Sequence, residues 1–488
     1  MNRSLLLAPL QIAQALVGLG AIAAFTRLMS ADEFGRYALA LSVCMFAHTM
    51  VFTWAEAAAF RFFASARAEH KLADHYATLV AVALVLGVAA LVLTAGLLTL
   101  AGLQRDALTL CVFAAGAAIA RFLLRLGRES ERAGAEVGRY AIFETGYLVL
   151  GFGFGVALLT RTDLGAAAPF AGLLLAGVIV LFIDAPHFLA RSAGGSPSVA
   201  RAASYATYGA PLALALAIDL GVQTLCRFIL AHQAGPGALG AYAAAFGLAR
   251  PLDLIFIGAG AALATQMLSA YEHHGADAAR TVARVGFEAV AAIAVPAAVG
   301  LALVAYPLAT LMVGAALSAN AAQLLPWLAV AGLAQGFSVY YWSESFQLTR
   351  HTGRRAALML IPGFVQITLT GTLAFAFGAQ GAAIAAAIGA LTGALVLALV
   401  GGKLLALPLP LGAIMRIAGA SAAMAFAVLA LPATQGMAGL AMTVSVGALV
   451  YLACALAFDI AGARAKIIAL AERLIRFIPS TERADAAS

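Results

Sequence analysis

Fourteen apolar runs follow one another along this chain with only short polar interruptions between them. They lie at about 5–26, 37–60, 76–100, 107–124, 140–160, 166–185, 208–230, 241–268, 286–313, 324–347, 357–377, 380–402, 411–431 and 438–460. Each approaches the roughly 20 residues that a helix needs to cross the hydrocarbon of a bilayer. The runs are continuous rather than alternating, which points to helices and away from a β-barrel. Composition agrees: 64% of residues are hydrophobic and 10% charged, against about 25% charged in ordinary soluble domains. Disorder is excluded, because it needs the opposite balance. At roughly 35 residues per helix and connection, 488 residues leave no room for a large soluble domain. The expectation is an all-α polytopic membrane protein with about 14 transmembrane helices.

The formal charge of +7 is read as topology rather than as a nucleic-acid footprint, and no nucleic-acid partner is expected. Cytoplasmic loops of membrane proteins gather Lys and Arg. With the N-terminus placed inside, 23 of the 29 basic residues fall in inside segments, among them Arg61, Arg67, Lys71, Arg121, Arg125, Arg128, Arg132 and Arg139. Only Arg27, Arg36, Arg105 and Arg161 fall outside, while Arg227 and Arg250 lie near or within runs. One span wrongly added or lost would move every later loop to the other side, so the split supports an even count with both termini cytoplasmic. The first apolar stretch, Leu5 to Phe25, is too long for a cleaved signal h-region and is read as a retained span. Cys44, Cys111, Cys226 and Cys454 are scattered through apolar runs, suggesting neither disulfides nor a zinc site.

An internal repeat divides the chain. Ala8-Pro9-Leu10 opens the first span and Ala210-Pro211-Leu212 the seventh. Arg27 is echoed by Arg227, and Gly35-Arg36-Tyr37-Ala38 by Gly240-Ala241-Tyr242-Ala243. Each unit holds six spans, an even number, so both copies enter from the same side. That predicts two six-helix lobes related by a pseudo-two-fold along the membrane normal. The expected organisation is an N-terminal lobe over 1–185, a cytoplasmic linker over 186–207 and a C-terminal lobe over 208–402. Two additional helices over 403–460 and a cytoplasmic tail over 461–488 complete it.

Catalytic motifs are missing. There is no P-loop, no HExxH and no Asp-x-Asp pair, so the chain is expected not to be an enzyme and to use neither metal nor cofactor. Gly151-Phe152-Gly153-Phe154-Gly155 lies within a span and reads as a helix-packing surface rather than a dinucleotide loop. His273-His274 reads as part of a solvated loop. Tyr76, Tyr205 and Tyr242, among other span-end tyrosines, read as an interfacial belt.

What remains is a set of charges at membrane depth. Each costs on the order of 2.5–3.5 kcal/mol there and should face a hydrated cavity or a partner. Glu56 and Arg61 lie in span two, Asp219 and Arg227 in span seven, Arg250 and Asp253 in span eight, and Glu344 in span ten. Asp219, Gln223 and Arg227, at i, i+4 and i+8, form one helical stripe. Arg250 and Asp253 share a face, with Pro251 expected to distort the helix between them. Gln335, Ser338, Trp342 and Ser345 are expected on one face of span ten. Such stripes fit a central cleft between two lobes; internal pairing or snorkelling of the same charges is the plainer alternative.

The segment Thr26-Arg27-Leu28-Met29-Ser30-Ala31-Asp32-Glu33-Phe34-Gly35-Arg36-Tyr37-Ala38 resembles the opening signature of bacterial polysaccharide-biosynthesis flippases. These belong to the multidrug/oligosaccharidyl-lipid/polysaccharide flippase superfamily. Asp219 to Leu230 with Gly235-Pro236-Gly237-Ala238-Leu239-Gly240-Ala241-Tyr242, and Gly378-Ala379-Gln380-Gly381-Ala382-Ala383-Ile384-Ala385, are similar to later segments of the same family. The resemblance extends to about residue 402. It implies an inner-membrane flippase that moves undecaprenyl-diphosphate-linked oligosaccharide from the cytoplasmic to the periplasmic leaflet for O-antigen, capsule or exopolysaccharide assembly. Alternating access coupled to a proton or sodium gradient is implied too, with membrane lipids and a polysaccharide polymerase complex as further partners. On that reading Arg27, Glu56, Arg61, Asp219, Gln223, Arg227, Arg250, Asp253 and Glu344 are the candidate cavity residues, since Arg matches phosphate oxygens in bidentate fashion. In family members an Asp commonly precedes the span-seven Arg directly; here Leu225-Cys226 precede Arg227, which leaves the coupling acid unassigned. A multidrug or cation antiporter of the same superfamily and a non-transporting scaffold of a polysaccharide synthesis complex remain open as alternatives.

Overall fold

A computed structural model describes residues 3–102, 104–134, 136–432 and 436–465; most of the expected tail, 466–488, lies outside the described residues. Among the described residues the regular structure is helical throughout, with no strand. Twelve helical stretches among the described residues are long and apolar enough to cross a membrane. Two of these contain a break. Pro236–Leu303 has 68 residues, about 100 Å of helix at 1.5 Å per residue, against roughly 30 Å of hydrocarbon. It reverses at Gly275, whose φ of 82° and ψ of −173° are not helical. Thr352–Gly401 reverses likewise at Gly378, with φ 56° and ψ −134°. Both conformations are ones that a Cβ disfavours. Counting each broken stretch as two crossings turns twelve into the fourteen expected spans.

The spans face lipid as a membrane helix must. Along Leu72–Ala101, Leu84, Val85, Val88, Leu91, Val92 and Leu93 are each more than half exposed. In water such a surface would aggregate. The protein is therefore a multi-pass membrane protein.

Local chemistry sets the helix ends. Ser30 caps Ala31–Val51 in a reciprocal capping box with Glu33. The span-two run is broken at Phe52 and Phe62 into Ala31–Val51, Thr53–Arg61 and Phe63–Ala68. Arg250 separates Pro236–Ala249 from Pro251–Leu303, the interruption expected from Pro251, which opens the second helix. Within the expected linker, helix persists to Ser192 and resumes at Val199. The turn between is pinned by Ser196, whose backbone N–H donates to Asp74 Oδ1 at 2.9 Å.

Two compact units emerge. The first comprises Met1–Leu248, Met312–Leu324 and Pro362–Gly389; the second comprises Ala249–Leu311, Leu325–Ile361 and the chain from Ala390. In the first, Phe52, Ala55, Ala58, Ala59, Phe122 and Tyr205 form one core cluster, with Phe52 stacked on Phe122 at 4.2 Å. The Gly151 to Gly155 stretch is a packing surface: a Cβ on the facing Gly172 would come within 2.3 Å of the Gly155 nitrogen. The openings of spans two and eight also meet within this unit. A Cβ on Gly35 would lie 1.8 Å from Pro236 O, and one on Gly240 would lie 2.8 Å from Ala31 O. Gly35 and Gly240, like Ala31 and Pro236, are separated by the same 205 positions. The contact is thus reciprocal, as a local pseudo-two-fold produces.

In the second unit, Leu263, Met267, Phe287 and Tyr341 form a core with Ile417, Ala420 and Ala455 from the last two helices. Leu411–Leu429 and Gly436–Ala457 are fastened to span nine by Arg416 on Glu288 at 3.3 Å and by Tyr451 Oη donating to Ala292 O at 2.7 Å.

Candidate functional site

Of the nine candidate residues, six lie in the first unit. Thr26 and Arg27 end the helix Arg3–Leu28. Thr26 Oγ1 accepts from the Gly314 N–H at 2.8 Å. Arg27, exposed, donates from Nη1 to Ala23 O at 2.7 Å and to Met312 O at 3.3 Å. Arg227 sits differently. The offset between the repeats grows from 200 at the arginines to 205 at the glycines, and helix Val199–Ala234 absorbs the difference by continuing past Arg227. Arg227 is consequently two turns from its helix end and half-buried. Its Nη1 donates to Ser42 Oγ at 2.5 Å, and its guanidinium stands 5.0 Å from the centre of the Phe246 ring. Thr224 Oγ1 donates to Ser42 O at 3.3 Å, so one helical face binds span seven to span two. Asp219 extends that face toward the start of the helix and accepts from Gln223 Nε2 at 3.2 Å, the i, i+4 neighbour expected. Asp219 is exposed. Arg61, also exposed, stands 6.0 Å from the Tyr208 ring centre.

Glu56 belongs to a different environment. It is 4% exposed, its Oε1 is 2.8 Å from His48 Nε2 and its Oε2 is 3.6 Å from Arg125 Nε. Arg125 begins a network that sequence reasoning missed. The five arginines Arg121, Arg125, Arg128, Arg132 and Arg139 are expected on the inside, at and beyond the end of a fourth span that closes near residue 124. The helix of the fourth span in fact continues over Arg105–Ala133 and carries the first four, with Arg128 buried, Arg121 and Arg125 half-buried and Arg132 exposed. Arg128 is 1% exposed and donates to Glu144 Oε2 at 2.6 Å; Arg121 lies 3.8 Å from the same carboxylate. Arg132 pairs with Glu129 at 2.9 Å. Arg139 bridges Glu131 at 2.6 Å and Asp184 at 2.5 Å. The helix runs past the expected end because these charges have partners: a salt-bridged arginine can stay on a partly buried helix, whereas an isolated one cannot. A signal was present, since Arg121, Arg125, Arg128 and Arg132 recur at i, i+4, i+7 and i+11, one helical stripe.

The remaining three candidates lie in the second unit. Arg250 is exposed and Asp253 half-buried, on either side of Pro251. Glu344 is buried and accepts from Gln347 Nε2 at 2.9 Å. It follows a π-helical turn, Ser338–Trp342. That turn overturns the expected polar face of span ten: the wider turn shifts the register, so Gln335 and Ser345 no longer repeat at α-helical spacing. The tyrosine belt needs correction as well. Tyr76, Tyr205 and Tyr242 are buried: Tyr76 accepts from Arg191 at 3.2 Å, and Tyr205 is hydrogen-bonded to His75. The interior offers the Tyr76 and Tyr205 hydroxyls partners, so the headgroup layer is not required for them.

The arrangement can bind charge. The sequence matches the polysaccharide biosynthesis protein family over residues 24–320. No curated protein matches it. Among solved structures the fold is similar to that of a lipid II flippase, MurJ, in an inward closed conformation, with a TM-score of 0.75 at 15% identity over 92% of this chain and 98% of that one. It is also similar to a multidrug resistance MATE family transporter of the MOP superfamily in its inward-facing conformation. There the TM-score is 0.62 at 17% identity, over 84% of this chain and 95% of that one. The outward-facing conformation of such a MATE transporter gives 0.55 at 16% identity, over 84% and 94%. At these identities the likeness is one of fold. The family match covers well over half of the chain, and this chain belongs to the polysaccharide biosynthesis protein family.

Proposed function

We propose that this protein is an inner-membrane flippase for undecaprenyl-diphosphate-linked oligosaccharide, moving it from the cytoplasmic to the periplasmic leaflet by alternating access. What carries the reading is the family match over residues 24–320 on a fold that a lipid II flippase also adopts. Both termini are assigned to the cytoplasm on the distribution of basic residues. Arg27 and Arg227 are the proposed contacts to the diphosphate, and Arg250 is kept as a separate candidate cation for the substrate. Guanidinium groups match phosphate oxygens in geometry as well as charge. Gln223 and Arg61 are assigned to the polar head of the substrate. Asp219, Glu56, Asp253 and Glu344 are the acids assigned to respond to a proton or sodium gradient, Glu56 from its place beside His48 and Arg125. Membrane potential would add about 2.3 kcal/mol per charge per 100 mV. Membrane lipids surround the protein, and a polysaccharide polymerase complex would receive the product.

The test is complementation of a flippase-deficient strain with Ala variants at Arg27, Arg227 and Arg250, with membrane abundance measured alongside surface polysaccharide. Loss of polysaccharide at normal abundance is expected for at least two of them. Full restoration by all three would remove these residues from the substrate site. A drug-efflux phenotype dependent on Glu56 or Asp219, without any polysaccharide phenotype, would replace the flippase by an antiporter.

A further inference from the structure

Glu131, Glu136 and His187 converge in the first unit, outside the residues assigned above to transport. Glu131 lies in the last turn of Arg105–Ala133, Glu136 immediately precedes Val137–Arg161, and His187 follows Pro186 in Ala168–Ser192. One ligand atom from each lies within 4.8 Å of the others. The hydrogen bonding around them is divided in a particular way. Glu131 Oε1 accepts from Arg139 Nε at 2.6 Å, while its Oε2 is buried and has no partner. Glu136 Oε1 accepts from Arg191 Nη2 at 2.5 Å, while its Oε2 is 4.0 Å from His187 Nε2. His187 Nε2 is itself buried without a hydrogen bond. Glu131 as a residue is 3% exposed, so its orphan oxygen cannot be left to solvent, and leaving such an acceptor unsatisfied is costly.

We propose that these three residues form a divalent-cation site of the zinc or manganese class. Two carboxylate oxygens and one imidazole nitrogen are a donor set of that class, with a further position left for water. Each carboxylate already has one oxygen held by an arginine, which is how outer contacts orient metal ligands. Counting Glu131, Glu136 and Asp184 against Arg139 and Arg191, with His187 neutral, the formal charge around the site is −1, so a cation is attracted rather than repelled. Tetrahedral zinc at bond lengths of about 2.0–2.1 Å sets its donors about 3.3 Å apart, so the present separation closes by less than 2 Å on binding. Glu136 and His187 are each 40% exposed at the side chain and free to make that movement. The ion would join the end of span four, the start of span five and the end of span six.

The test uses the full-length protein in detergent, purified on a tag without histidine and stripped with chelator. Zinc chloride is titrated while heat of binding and thermal unfolding are followed, with magnesium chloride as comparator. One saturable zinc equivalent and a raised unfolding temperature are expected. His187→Ala should weaken the binding by roughly tenfold or more and abolish the thermal shift, and because His187 Nε2 makes no hydrogen bond this variant should remain folded. Glu131→Gln should act in the same direction. His273→Ala with His274→Ala should leave the site intact. Equal zinc binding in wild type and His187→Ala would overturn the proposal, as would the absence of saturable binding. So would unfolding that responds to pH but not to zinc, which would mark a site for a proton.

Discussion

The arginines of span four and the arginine of span seven are both carried on apolar helices, yet their surroundings differ in kind. Arg128 is almost wholly buried and meets the carboxylate of Glu144 at 2.6 Å; around it Arg121, Arg125, Arg132 and Arg139 each reach an acid within 4 Å. Arg227 is half-buried and is set against a serine hydroxyl and an aromatic face. In the first region charge is matched by charge, and the pairing itself allows burial. In the second, the cation has a hydroxyl and an aromatic ring among its contacts, and it keeps part of its surface open. Position within a span therefore does not reveal what surrounds an arginine; contacts from other segments do.

The largest effect expected from breaking this contrast is at Arg128. Arg128→Met leaves Glu144 buried without its closest cation and should destabilise the protein by about 3–5 kcal/mol, measurable as a lowered unfolding temperature in detergent and reduced membrane abundance. Adding Glu144→Leu should recover most of that loss, because an apolar pair has no desolvation penalty; a double variant no better than the single would show that the pair does not act as a unit.

Arg227→Ala should do the reverse, leaving abundance near normal while lowering substrate affinity. Loss of one charged contact to phosphate is expected to cost about 1.5–3 kcal/mol, roughly tenfold or more. Arg227→Lys retains charge without the planar fork and should be intermediate. Surface polysaccharide in a complemented strain reads both. A fall in abundance equal to that of Arg128→Met would place Arg227 among the structural arginines.

Arg132 sharpens the comparison from within the network. It reaches Glu129 at 2.9 Å, but its side chain is 42% exposed. Arg132→Ala should therefore cost no more than about 1 kcal/mol, read in the same unfolding assay. The smallest effect is expected at Arg61, exposed beside Tyr208 at 6.0 Å: Arg61→Ala should change stability by no more than about 0.5 kcal/mol, within the scatter of surface changes.

Much of this was legible without a structure. Fourteen apolar runs foretold fourteen crossings, because hydrocarbon tolerates no unpaired backbone and run length maps directly onto bilayer thickness. The repeat of Gly35 and Gly240 foretold a pseudo-symmetric relation, and these glycines do meet reciprocally. The polar face of span seven, Asp219 with Gln223, followed from 3.6-residue spacing alone, since one helix needs no information from its neighbours. Helix ends were harder. The boundary of span four was misjudged because arginines weigh against an apolar run until their partners are known, and Glu56, Glu144 and Asp184 come from three other segments. The register of span ten was misjudged because a π turn leaves no mark in hydrophobic periodicity.

The sequence by itself determined the solvent of this protein, the number and order of its helices and, through its match over residues 24–320, its family. These follow from local properties: apolar length, helical spacing and recurring short segments. Tertiary structure alone decided which charges are structural. Whether Arg128 is stabilised by an acid depends on Glu144 of another span, and the free energy of a buried charge is set by what lies within a few ångströms of it rather than by what precedes and follows it.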